Sequence, residues 1–128
     1  MSEGEIVIQL DENRTAFRPG ESIRGSVTWS LAEVPRSGEV RLVWNTSGKG
    51  TQNVSTVQTV TLAPASSREQ QRFELRAPES PYTFSGRLVS LIWAIEVELQ
   101  PHSHSARQEI VISPTGSEID LYAAGEPV

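Results

Sequence analysis

The residues of this chain that could do chemistry are few, and their spacing decides what each could do. His102 and His104 stand two apart in "PHSHS", so an extended backbone would place both imidazoles on one side. A metal site needs a third and a fourth ligand, and only Glu98 or Glu109 could approach across a hairpin. "TSGKGT" has glycines around Lys49, but a phosphate loop needs Gly-x-x-x-x-Gly-Lys-Ser/Thr opening a helix. Here the position five before Gly48 is Val43, within an apolar run. Glu96 and Glu98 are paired carboxylates on one face, yet a glycosidase pair needs a cleft between two strands or loops. Serines abound without a Gly-x-Ser-x-Gly elbow. Both histidines belong to one turn, so a Ser-His-Asp triad would have to converge on that tip. The chain is expected to be no enzyme and to hold no cofactor and no metal.

The elements that would position these residues follow a period of two. "EIVIQL" aligns Ile6, Ile8 and Leu10; "SIRGSVTW" aligns Ile23, Val27 and Trp29; "EVRLVWNT" aligns Val40, Leu42 and Trp44. "RFELRA" turns Phe73 and Leu75 inward, "ARQEIVIS" offers Ile110 and Ile112, and "EIDLY" offers Ile119 and Leu121. In "VSTVQTVTL", Val60 and Leu62 agree with Val54 while Val57 is out of phase, which calls for a bulge or a two-sided strand. Gly/Pro/Ser/Asn clusters such as "RPGE", "PRSG", "APASS" and "SPTG" separate the runs. No segment sustains a helical period. Six to eight strands so spaced predict an all-β, two-layer antiparallel β-sandwich.

The strand from Leu88 to Leu99 is apolar on both faces in its first half and on one face in its second. "ARQEIVIS" should return as its antiparallel neighbour. A two-sided apolar start could also be covered by a second copy, so a homodimer is an expectation.

The bulk numbers bound the rest. A chain of 128 residues with no cysteine is expected to form one domain, 1–128, with its core at about 5–121 and its termini frayed. It can bury roughly 65–70% of its unfolded surface without staples. A net charge of −5, with ten scattered arginines and one lysine, speaks against nucleic acid as a partner. "MSEGE" does not read as a signal peptide, and Leu88–Ile95 is too short to insert in a bilayer. A cytoplasmic location without membrane insertion is expected.

Three segments in order, "FRPGESIRGSVTW", "VRLVWNTSGKGT" and "SPYTFSGRLVSLIWAIEVEL", resemble the arrestin-like β-sandwich superfamily, especially its small single-domain bacterial members. The likeness runs from about Glu5 to Leu121. It implies an arrestin/immunoglobulin-like sandwich that binds a protein partner as a scaffold or interaction module. The two-domain cleft, the phosphate-sensing ion-pair network and the Pro-Pro-x-Tyr tails of larger family members have no counterpart. Pro19 and Gly20 carry a type II turn signature, and Gly25 leaves room on the inward face for a large side chain, with Trp93 or Trp29 the candidates. Pro81, Phe84 and Gly86 read as a corner whose phenyl ring plugs the end of the core. These corners are expected to be structural. A loop from Asn45 to Asn53, through Ser47, Lys49 and Thr51, is the expected partner contact, because loops on a rigid sandwich host function. The rival readings are a carbohydrate- or small-molecule-binding immunoglobulin-like module, which needs an exposed aromatic platform, and a metal-dependent enzyme at His102 and His104.

Overall fold

The computed structural model describes residues 5–48, 51–85, 89–101, 104–115 and 119–120. The chain folds as an all-β sandwich of two packed sheets. In chain order the strands are β1 (Glu5–Leu10), β2 (Ala16–Phe17), β3 (Ser22–Ser30), β4 (Ser37–Gly48), β5 (Thr51–Leu62), β6 (Arg68–Arg76), β7 (Phe84–Ser85), β8 (Val89–Gln100), β9 (His104–Ile112) and β10 (Ile119–Asp120). The smaller sheet runs β1-β3-β6, antiparallel throughout. In the larger sheet β4 lies between β5 and β8. The far side of β8 is shared by β7 at its start and β9 along the rest. Two short pairings at the rim, β2 with β9 and β10 with β7, are parallel, so the sandwich is antiparallel in its body but not at its margin.

The core comes from the inward positions of the alternating runs. Ile23, Val27, Trp29, Phe73 and Leu75 of the small sheet meet Val40, Leu42, Trp93, Ile95, Val97, Leu99, Ile110 and Ile112 of the large one. Both fully buried tryptophans satisfy their indole N–H internally, Trp29 donating to the Ser66 carbonyl at 3.0 Å and Trp93 to the Pro81 carbonyl at 2.8 Å. An unpaired indole N–H in that interior would cost about as much as a lost hydrogen bond.

The corner at Pro19–Gly20 is a closed turn. Glu21 donates its N–H to the Arg18 carbonyl at 3.1 Å, and Gly20 has φ of 86°. That φ suits glycine at the third position of a type II turn. Reciprocal bonds tie the turn to Ala77: Gly20 N–H to the Ala77 carbonyl at 2.7 Å, Ala77 N–H to the Glu21 carbonyl at 2.9 Å. At the second corner Thr83 behaves as a one-residue strand against Ile112. Its N–H donates to the Ile112 carbonyl at 2.8 Å, and its hydroxyl accepts from the Ile112 N–H at 3.0 Å. The backbone of Phe84 pairs with Leu91; the orientation of its ring, and Gly86 altogether, fall outside the described residues.

Two sequence-based expectations are corrected here. Gly25 does face inward, but neither Trp93 nor Trp29 fills the space beside it. A Cβ at Gly25 would sit 2.6 Å from the Gln9 carbonyl oxygen, 3.0 Å from the Phe73 ring and 3.1 Å from Leu10. Gly25 is opposite Leu10 on one side and Phe73 on the other, so the two large neighbours come from its own sheet. In β5 the bulge expected at Val57 is present, and what it corrects is the direction of Val54. The ladder jumps from Leu42↔Gln58 to Val43↔Thr56, leaving Val57 as an extra residue. That bulge inverts the alternation, so Val60 and Leu62 face the core while Val54, opposite the outward Asn45, does not.

The two sheets close along the β5/β6 side by side-chain amides imitating backbone. Gln58 accepts from the Arg76 N–H at 3.0 Å and donates to its carbonyl at 2.6 Å. Gln71 does the same for Ala63, at 3.2 and 2.7 Å.

Candidate functional site

The segment expected to be a loop, Asn45 to Asn53, is mostly ladder. β4 and β5 stay paired through Asn45↔Val54, Thr46↔Asn53, Ser47↔Gln52 and Gly48↔Thr51. On its other side β4 is backed by β8 as far as Gly48↔Val89. The feature is therefore a long hairpin held in a sheet almost to its tip. Polar β-branched and amide residues read as a loop by composition, yet they pair once a neighbouring strand supplies the ladder. Lys49 lies outside the described residues, as do the side chains of Thr51 and Gln52.

The root of the hairpin is fixed by close packing. Gly38 sits between Leu99 and Leu62, and a Cβ there would lie 2.5 Å from Leu99 Cδ2. Further out, Asn45 Oδ1 accepts from Arg107 Nη2 at 2.8 Å, while Arg107 Nη1 binds Glu96 at 2.7 Å. The Arg107 arm thus crosses β8 from β9 to β4, and Ala94 and Val43 on that outer face are 0% and 1% exposed. The apolar second face of β8 is covered in its middle by this chain's own side chains.

Among the described residues the exposed side chains of β5 are two valines set among uncharged polar residues, Asn53, Thr56, Thr59 and Thr61. Val54 is 67% exposed and Val57 42% exposed. From Leu42 to Ser67 the sole charged residue is Lys49, in a chain where 21% of residues are charged. The bulge helps to create this surface, because it turns Val54 away from the core. Sequence reasoning assigned Val54 inward and overlooked the face; the scarcity of charge over Leu42–Ser67, where Lys49 stands alone, was the readable signal.

The other candidate chemistry is dispersed. His104 opens β9 opposite Leu99, at the end of the large sheet away from the hairpin tip, and borders a cleft of about 90 Å³ with Leu31, Val34, Pro35 and Pro101. His102 is outside the described residues. No group of three metal-ligating side chains occurs among the described residues. Glu96 and Glu98 do not share a cleft: one pairs with Arg107 at 2.7 Å, the other with Arg41 at 3.2 Å. The outward charges Arg24 and Glu74 pair at 3.5 Å, and Arg72 pairs with Asp11 at 2.7 Å. None of the three tryptophans is exposed. No helix of the described residues is long and apolar enough to cross a membrane.

No family model matches the chain, and no curated protein sequence matches it either. Among solved structures, Spo0M, a sporulation control protein from Bacillus subtilis, aligns with a TM-score of 0.62 and 18% identity over 85% of this chain. The chain spans about half of that protein, 49% of its length. A Pseudomonas fluorescens alkylpurine DNA glycosylase, AlkC, aligns with a TM-score of only 0.37 at 12% identity, over 85% of this chain and 30% of that one; nothing is built on it. The likeness to Spo0M is one of fold, and it agrees with the two-sheet sandwich described above.

Proposed function

We propose that this chain is a non-enzymatic protein-interaction module of arrestin-like type, acting in the cytoplasm and engaging its partner through the outer face of the β4–β5 hairpin. The observation that carries the reading is the presence of exposed Val54 and Val57 within a run, Leu42 to Ser67, whose sole charged residue is Lys49. Depletion of charge around apolar residues distinguishes the centre of a protein interface from ordinary surface. The sheet beneath keeps this face in one shape, so binding need not order a loop first. The three tryptophans are turned into the protein or half-covered, which leaves a sugar-stacking platform without its main residues.

The reading is tested by affinity capture from the native host with the wild-type chain, with Val54→Glu, and with Glu74→Ala on the opposite sheet as a control. A charge at the centre of an interface should reduce a specific captured protein by about tenfold or more, while Glu74→Ala captures it as wild type does. Equal capture by Val54→Glu would overturn the assignment of the face.

A further inference from the structure

The connection from β3 to β4 passes from the small sheet to the large one at the end opposite the hairpin tip, and it is held on both sides. Leu31 donates its N–H to the Ser67 carbonyl at 2.8 Å, and Arg36 donates to the Gln100 carbonyl at 2.9 Å. The residues between these two bonds line the cleft of about 90 Å³ together with Gln100, Pro101 and His104. Its lining passes from buried Leu31 and Pro35 to exposed Pro101 and to Val34, which is 50% exposed. A space of that size holds about six water-sized groups. Among the described lining residues, with His104 neutral, Glu33 is the sole one that carries a formal charge. Its carboxylate is exposed and has no ion pair among the described residues. Asp11, Glu74, Glu96 and Glu98, by contrast, each have an arginine.

We propose that this cleft takes the side chain of a lysine from another polypeptide, its methylene stem against Leu31, Val34 and Pro35 and its ammonium at Glu33. Lysine joins an unbranched aliphatic stem to a compact cation, and it buries the stem along apolar surface while the charged head stays in water. Arginine suits the cleft less, because its planar head gains much from stacking on an aromatic face, and no aromatic residue is among the described lining. A neutral aliphatic chain gains nothing from Glu33. The free amino acid is disfavoured in turn, since no lysine or arginine of the described lining meets its α-carboxylate. The two backbone bonds hold residues 31–36 in place already, so a ligand need not order them first. The chain's net charge of −5 favours the approach of a basic partner. The cleft and the hairpin tip lie at opposite ends of the large sheet, so this assignment and the hairpin reading can each fail without the other.

The test follows backbone amide shifts by NMR while Nα-acetyl-lysine N-methylamide is titrated into the wild-type chain and into Glu33→Gln. Glu12→Gln, an exposed carboxylate beside the start of β3, is the control. Saturable shifts should appear at residues 31–36 and at Gln100 and His104, in wild type and Glu12→Gln alike. Binding should weaken by about threefold in Glu33→Gln, the measure of one exposed ion pair. It should weaken as much when the blocked norleucine analogue, which keeps the stem and lacks the charge, replaces lysine. The blocked arginine analogue and free lysine should also bind more weakly than blocked lysine. No saturable shift, shifts confined to other residues, or undiminished binding by Glu33→Gln would each overturn the proposal. So would a norleucine, arginine or free-lysine ligand that binds as tightly as blocked lysine.

Discussion

At the scale of single residues, the side chains that stand out hold backbone in place. Asp11 accepts both guanidinium nitrogens of Arg72, at 2.8 and 2.7 Å, and this bidentate bond holds its carboxyl below the ordinary 3.8. Glu21 lies below the ordinary 4.5 chiefly because the Arg18 N–H donates to it at 2.7 Å, with Arg14 adding a second bond. Glu69 is lowered first by the Ala65 N–H at 2.8 Å, then by Gln71 and the Ser66 N–H. A carboxyl whose folded pKa is depressed stabilises the fold above its unfolded pKa, and that contribution is lost as pH falls through the folded value. Stability should therefore begin to drop near pH 4.5 and keep dropping below 3.8. Urea midpoints measured across this window should decline less steeply in Glu69→Gln than in wild type. Gly25 makes a second prediction. Its nearest obstacle is the Gln9 carbonyl, backbone rather than a movable side chain. Gly25→Ala should destabilise by about 1–3 kcal/mol in urea unfolding, and adding Phe73→Leu should not recover the loss.

At the scale of elements, the legible and illegible parts of the sequence separate by how local their causes are. Alternation within a run depends on that run alone, which is why Ile23, Val27 and Trp29, or Val40, Leu42 and Trp44, could be read directly. The β8–β9 hairpin was equally open to reading, since its strands flank one short turn. The turn at Pro19–Gly20 was readable for the same reason. Gly25 shows where this stops: its neighbours Leu10 and Phe73 are set by the pairing order β1-β3-β6, which no local window contains. Val54 is the intermediate case: the phase break at Val57 signalled a bulge or a two-sided strand, but the resulting reversal of Val54 depends on the pairing with β4. The candidate contact residues Asn45, Ser47 and Asn53 lie at the far end of the right hairpin, but within strands instead of a loop. The Gln58 and Gln71 amides that close the sheets were likewise invisible, since glutamine in an alternating run reads as an outward polar residue. Gln58→Ala removes both bonds to Arg76 and should cost about 1 kcal/mol by denaturant unfolding, with the hairpin ladder intact by hydrogen exchange.

At the scale of the whole molecule, charge is distributed unevenly over a rigid frame. The outer faces of the two sheets carry crossed ion pairs such as Arg41–Glu98, Arg107–Glu96 and Arg24–Glu74. Partly exposed pairs of this kind contribute little stability each, mostly under about 1 kcal/mol, but they keep those faces hydrated and unattractive to other strands. From Leu42 to Ser67 the described residues carry no charged side chain and so no ion pair of this kind. On the proposed reading the partner meets the exposed valines of the hairpin, and the buried tryptophans and closed corners belong to the frame beneath them. The most direct measurement is site-specific photo-cross-linking in the native host, with a benzophenone side chain at position 54, at position 57, and at position 74 as control. The account predicts one protein captured from positions 54 and 57 and not from 74. Capture from position 74 alone, or from none of the three, would contradict it.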